Sequence, residues 1–219
     1  MRLLLIRHGE TDHNVRQLAL GRADVPLNER GRQQAAALAA RLAAHADRGE
    51  RIDAVYSSPL RRCLETAAPL AEALDLSIQI EPRLIEMDIG LVEGKTFAQV
   101  RDEHAQFLRV WLSDAMADEP MPGGESMREV QERAWAAVEA IRDAHPEATV
   151  ALVTHNFVLL TVLCRALDLP LARFRRLRHD LAAISLLDVT AERAVVVTMN
   201  DRCHLVDAGL ASGSRWGGR

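Results

Sequence analysis

Two short, largely apolar runs, residues 3–6 (Leu-Leu-Leu-Ile) and residues 149–153 (Thr-Val-Ala-Leu-Val), each stop one residue before a histidine. The first leads into Arg7-His8-Gly9-Glu10-Thr11 and the second into Thr154-His155-Asn156. Runs of this length suit buried strands and are much too short to span a membrane. Ligands of open α/β sheets bind at the carboxyl edge of the strands. If the two runs are parallel neighbours, His8 and His155 meet at that edge. This pairing constrains the fold more tightly than any other feature of the chain.

The intervening sequence alternates between helical and strand periodicity. Residues 12–28, with Gly21, Asp24, Pro26 and Asn28, read as an ordered loop. Asn28 then caps a helix with Ala35, Leu38, Ala39 and Leu42 on its apolar face and Gly49 beyond its end. A strand is expected over residues 52–56. Ser58 and Pro59 read as the cap and first position of a helix burying Leu60, Cys63, Leu64, Ala67 and Leu74. Ile78 and Ile80 mark a third strand, and an irregular acidic stretch runs from 83 to 94. One polar helix is expected over residues 97–111. Ser126 and Glu129 form a capping box for a helix that buries Met127, Val130, Ala134, Ala137 and Ile141. A helix over residues 157–167 and strands over 183–187 and 195–199 complete a layered α/β fold with a mostly parallel sheet.

The 219 residues suffice for one sizeable domain, and 48% hydrophobic with 26% charged residues is an ordinary globular balance. A net charge of −4 argues against a general nucleic-acid binder. Cys63, Cys164 and Cys203 follow no metal or disulfide spacing, and residues 3–6 are shorter than the apolar core of a signal peptide, so a cytoplasmic setting is expected. Phosphate-loop, dinucleotide and HExxH patterns are absent.

Imidazole is neutral near pH 7 and can form a covalent phosphoryl intermediate, which makes His8 a candidate nucleophile. Arg7 and either Arg61 or Arg62 offer planar donor forks for phosphate oxygens. His155 is a second cationic clamp in this reading. A proton donor could come from Glu86, Asp88 or Glu93, which spacing alone does not rank. The Arg173, Arg175, Arg176 and Arg178 run reads as a solvated basic turn, and His13, His45, His104, His145 and His179 as surface residues.

Six ordered segments carry a resemblance. They are RHGET at 7–11 with Asn14, GRADVPLNERG at 21–31, SSPLRRCLETA at 57–67, LIEMDIGLVEG at 84–94, and PGGES at 122–126 followed by VTHN at 153–156. Together they resemble the histidine phosphatase superfamily, which contains cofactor-dependent phosphoglycerate mutases and many small phosphatases. The resemblance implies a three-layer α/β/α sandwich of the phosphoglycerate mutase-like kind over residues 1–207, with 208–219 as a Gly/Ser-rich C-terminal tail. It implies that His8 becomes phosphorylated and that Arg7, Arg62 and His155 bind the phosphoryl group. Asn14, Gly21 and Asn156 would join them in substrate binding, and Glu86 would protonate the leaving oxygen. No metal and no cofactor are implied. Asn156 stands where many members have glycine, and Cys63 replaces a common alanine.

Family mutases carry a longer insertion between the acid motif and the segment corresponding to PGGES, whereas only residues 95–121 lie there in this chain. The expectation is therefore a phosphomonoesterase acting on a small phosphorylated metabolite. The alternatives are a phosphoglycerate mutase and, in another class, a phosphate-binding regulatory protein with little turnover. Arg16, Arg22 and Lys95 leave room for a second anionic group on the substrate. No nucleic-acid or membrane partner is expected, and a homodimer through an edge strand is open.

Overall fold

The computed structural model describes residues 1–46 and 51–211. Six strands form one sheet: β1 (Arg2–Arg7), β2 (Ala54–Ser57), β3 (Ile78–Ile80), β4 (Thr149–Thr154), β5 (Ile184–Val189) and β6 (Ala194–Asp201). Their order is β3-β2-β4-β1-β5-β6. The first four run parallel, and β5 and β6 are antiparallel additions on the β1 side. Among the described residues eight α-helices accompany them: α1 (Asp12–Val15), α2 (Glu29–Ala46), α3 (Arg61–Ala73), α4 (Phe97–Glu103), α5 (Ala105–Trp111), α6 (Met127–Ala144), α7 (Asn156–Ala166) and α8 (Cys203–Asp207).

Alternation along the central strands assigns the layers. Leu3, Leu5, Val150 and Leu152 pack with Val130, Ala134, Val138 and Ile141 of α6 and with the apolar residues of α7. Ile6, Val55, Ala151 and Val153 face the other way, onto Leu38 and Leu42 of α2 and Cys63, Ala67 and Leu70 of α3. Both faces of β1 and β4 are thus covered, as a parallel sheet requires. The three-layer sandwich expected from the sequence is the observed architecture.

Several local expectations are corrected. Residues 12–15 form a helical turn capped by Thr11, whose hydroxyl accepts from the Asn14 amide. The second strand lies two residues beyond its expected start. The helix expected at Ser58 begins at Arg61 with Leu60 as an uncapped N-cap; the Ser58 hydroxyl accepts from the Leu60 amide at 3.3 Å and also meets His155. The single polar helix over 97–111 is two helices, since His104 leaves helical geometry (φ −130°, ψ 41°), and Val100, Leu108 and Trp111 are buried. Asn28 does cap α2, accepting from the Gly31 amide at 2.8 Å. The segment after α8 folds back: the carbonyls of Leu210 and Ala211 accept from Arg30 of α2. The remainder of the Gly/Ser-rich tail, and Gly49, lie outside the described residues.

The chain leaving β1 runs tightly against the start of α2. A Cβ on Gly9 would stand 2.7 Å from the Gly31 carbonyl oxygen, and one on Gly31 only 2.1 Å from that of Glu10. Helix propensity alone favours alanine over glycine by about 1 kcal/mol. The backbone overlap reverses that sign, so Gly31→Ala is expected to destabilise the protein by about 1–3 kcal/mol. Urea denaturation measures this, and a stabilised variant would contradict the close approach.

Candidate active site

Parallel pairing of β1 with β4 matches Ile6 to Val153 and Arg7 to Thr154, so His8 and His155 leave the sheet side by side. Their ring centroids are 5.4 Å apart. His8 is held from both sides by its main chain, donating to the Thr154 carbonyl at 3.0 Å and accepting from the Ala182 amide at 3.1 Å. The next amide, of Gly9, donates to the Thr66 hydroxyl, which donates to the Arg62 carbonyl in α3. The His8 Nδ1 proton is donated to the Gly9 carbonyl at 2.7 Å, because a carbonyl can only accept. The tautomer follows: Nε2 carries the free lone pair.

Arg62 is fully buried, whereas Arg61 turns outward to Glu65 and its amide meets Asp24. The Arg62 guanidinium donates to the carbonyls of Gly21 (2.7 Å) and Ala23 (2.8 Å) and through Nε to His155 Nδ1 (3.1 Å). His155 Nδ1 is therefore an acceptor, and its Nε2 proton goes to the Ser58 hydroxyl at 2.7 Å. Cys63 Sγ lies 3.4 Å from that same nitrogen, so this position packs directly on the second histidine. Arg7 donates to the His179 carbonyl at 2.7 Å, and its buried Nε has no partner among the described residues. His179 is buried, which corrects its expected place on the surface.

Geometry separates the three acids that spacing left equal. Glu93 accepts from the amides of Gly21 and Ala23 and so fixes the loop that holds Arg62. Asp88 pairs with Arg22 and accepts from the Gly90 amide. Glu86 alone of the three is buried, 3% exposed. It accepts from the amides of Met87 (2.9 Å) and of Phe157 in the first turn of α7 (3.3 Å). Its main-chain carbonyl is gripped by Arg133, which also pairs with Glu125.

Burial sets the charges here. Desolvation, reinforced by Arg62 and Arg7, pushes His8 well below the usual histidine range. Desolvation and Arg62 do the same for His155. His155 is thus a neutral donor in this structure rather than the expected cation. Desolvation raises Glu86 above the usual carboxylate range, against two amide hydrogen bonds and the nearby arginines. It also lowers Arg7 to about 10, which still leaves it charged at neutral pH. Two guanidinium groups therefore stand beside two neutral imidazoles and a carboxyl that holds its proton unusually well.

Asn14 accepts the Thr11 amide and hydroxyl with its side-chain oxygen, leaving its NH2 uncommitted among the described residues. Gly21 spends both main-chain groups internally, on Glu93 and Arg62. Asn156 is the first residue of α7. Arg7 and Asn14 line a cleft of about 780 Å³ whose wall also comes from residues 17–20, from α4 and α5, from Phe157 and from residues 175–181. No helix among the described residues is long and apolar enough to cross a membrane.

Residues 3–202 match the histidine phosphatase superfamily (branch 1), and the chain belongs to that family. It is 33% identical over 205 residues to phosphoserine phosphatase 1 of Hydrogenobacter thermophilus, covering 94% of each chain. It is also 33% identical over 210 residues to a Cronobacter sakazakii protein named "Probable phosphoglycerate mutase GpmB", covering 94% of this chain and 95% of that one. The solved structure of Bacillus stearothermophilus YhfR superposes with a TM-score of 0.85 at 32% identity, over 93% of this chain and 98% of that one.

Sequence reasoning missed Thr66, Ser58, Arg133 and the burial of His179. Thr66 was open to detection, lying one helical turn after Arg62 on the same face of α3. Nothing local marks the other three.

The buried histidines make stability depend on pH. His179 is lowered to about 4, and His8 and His155 lie well below their ordinary value. In the unfolded chain all three take up protons near pH 6.5. Below that pH the unfolded state binds protons that the folded state refuses, so stability falls as pH falls. Glu86, raised in the folded state, works in the opposite sense. The melting temperature is expected to drop between pH 7.5 and 5. His179→Gln should flatten the dependence by up to about 1.4 kcal/mol per pH unit. A melting temperature independent of pH over this range would contradict the neutral burial.

Proposed function

We propose that the protein is a phosphomonoesterase that works through a phosphohistidine on His8, without metal or cofactor. The observation that carries this reading is the fixed tautomer of His8, whose free Nε2 lone pair lies among two arginines, a neutral histidine and a buried carboxyl of raised pKa. Arg7, Arg62 and His155 hold the phosphoryl oxygens, and the Asn14 amide adds a donor. His155 must release Ser58 for its Nε2–H to serve there. The His8 lone pair forms a bond to phosphorus as the bond from phosphorus to the alcohol oxygen breaks. Glu86 gives its proton to that oxygen. Water then attacks phosphorus, Glu86 takes the water proton, and the bond to His8 breaks.

The substrate class, a small phosphorylated metabolite, is supported by the relative named for phosphoserine. Free thiols at Cys63, Cys164 and Cys203 accord with a cytoplasmic setting. A homodimer through edge strand β6 belongs to the same proposal, supported by Val195, Val197 and Met199 exposed along it. The mutase reading rests on the GpmB likeness. Against it, residues 95–121 are short and form α4 and α5 along the cleft.

Hydrolysis of 4-nitrophenyl phosphate in excess EDTA is the expected activity. Bisphosphoglycerate-dependent interconversion of phosphoglycerates would favour the mutase, and phosphate binding without either activity would favour a binding protein. His8→Ala is expected to lose the acid-labile phosphoryl label and to lower turnover by roughly a thousandfold or more. A retained label would move the nucleophile elsewhere. Glu86→Gln should slow hydrolysis of alkyl phosphates by roughly a hundredfold or more while slowing nitrophenyl phosphate far less. Equal slowing of both would remove Glu86 as the acid.

A further inference from the structure

The cleft that opens from Arg7 and Asn14 differs in character from the phosphoryl site. Besides Arg7, the cations on its wall are Lys95, Arg175 and Arg178, and each already has a partner within the protein. Lys95 pairs with Glu103 at 2.5 Å and touches His104, and Arg178 pairs with Asp180 at 2.7 Å. Arg175 lies over the rings of Phe174 (4.4 Å) and Trp111 (5.3 Å) and donates to the Trp111 carbonyl. Arg22, another candidate for a second substrate anion, is engaged by Asp88 and Glu125. Among the described residues, every lysine and arginine lining the cleft besides Arg7 thus has a protein partner, and Arg16, next to the lining residues Asn14 and Gln17, is not part of the lining.

What it presents instead is apolar and aromatic. Trp111 stacks on Phe107 (5.7 Å between centroids, 26° between planes) and meets Phe157 edge-on, and all three line the cleft. Phe97 and Leu112 also line it while 63% and 59% exposed, an arrangement that leaves large apolar side chains wet at its rim. At about 780 Å³ the cleft falls in the size range of sites that enclose drug-sized ligands of mixed but mainly apolar character.

Building on the phosphatase reading above, we propose that the preferred substrate is a phosphomonoester whose alcohol carries an extended apolar or aromatic group and no second anion. The phosphoryl group sits among Arg7, Arg62 and the two histidines. The alcohol extends from Arg7 along Trp111, Phe107 and Phe157 toward Phe97 and Leu112. Phosphoserine and phosphoglycerate, short and doubly charged, leave most of this surface uncovered and their carboxylates unpaired.

A series of n-alkyl monophosphates from ethyl to hexyl tests this, because the leaving alcohols have nearly the same basicity and differ only in apolar reach. With full-length protein in excess EDTA, kcat/KM is expected to rise about threefold per added methylene. Hexyl phosphate should exceed phosphoserine and 3-phosphoglycerate by at least about tenfold, as its buried methylenes dictate. Phe97→Ser and Leu112→Ser, both at exposed positions where folding tolerates change, should flatten the chain-length slope. Turnover with a flat or falling slope, or with phosphoserine preferred over hexyl phosphate, would overturn this assignment and leave the phosphatase reading standing. Absence of turnover on every ester, together with absence of a phosphoryl label on His8, would overturn both.

Discussion

The parallel ladder between β1 and β4 is the constraint on which the site depends. Its register matches Arg7 to Thr154, and it continues one step beyond the sheet through the hydrogen bond from the His8 amide to the Thr154 carbonyl. A slip of one residue would turn Leu3, Leu5, Val150 and Leu152 toward the wrong helical layer. The hydrophobic core thus enforces the alignment that sets two imidazoles 5.4 Å apart. Stability and site geometry share one cause.

From this edge a second network runs through side chains. Glu93 fixes the amides of Gly21 and Ala23, whose carbonyls hold Arg62, whose Nε meets His155, which meets Ser58. Each link satisfies a group that burial would otherwise leave costly. Holding Arg62 by carbonyls rather than by a carboxylate keeps its positive charge unneutralised by direct contact, which suits a group poised for an anion. The unpartnered Nε of Arg7 fits the same logic.

Much of this was legible in the sequence, for reasons that differ by residue. His8 and His155 stood out because each follows an apolar run, and strand periodicity is a local signal. The capping boxes at Thr11 and Ser126 are likewise local, although only the second was read. Arg62 could not be chosen over Arg61 by spacing, since a search for apolar faces passes over a buried guanidinium. Glu86 could not be ranked because the partners that occupy Asp88 and Glu93 lie in the loop at residues 21–23, far away in the chain. Family resemblance selected both residues, and in the structure both are buried while Arg61, Asp88 and Glu93 are not. His179 was misjudged because its surroundings, with Arg7 donating to its carbonyl, are assembled from segments far away in the chain.

In the proposed reading, phosphoryl chemistry and leaving-group recognition fall on different parts of the chain. The phosphoryl site is built from strand ends and from α3, elements locked on both faces by the core. Part of the cleft wall comes from α4 and α5, short helices separated by the non-helical His104, with Phe97 and Leu112 reaching solvent. Substitutions in the first region act on charges and tautomers that are mutually dependent, so few can be accommodated. Substitutions in the second change size and polarity along a surface that no buried charge depends on. On the proposed reading, the alcohol can therefore be changed along the cleft without altering the arrangement of histidines and arginines.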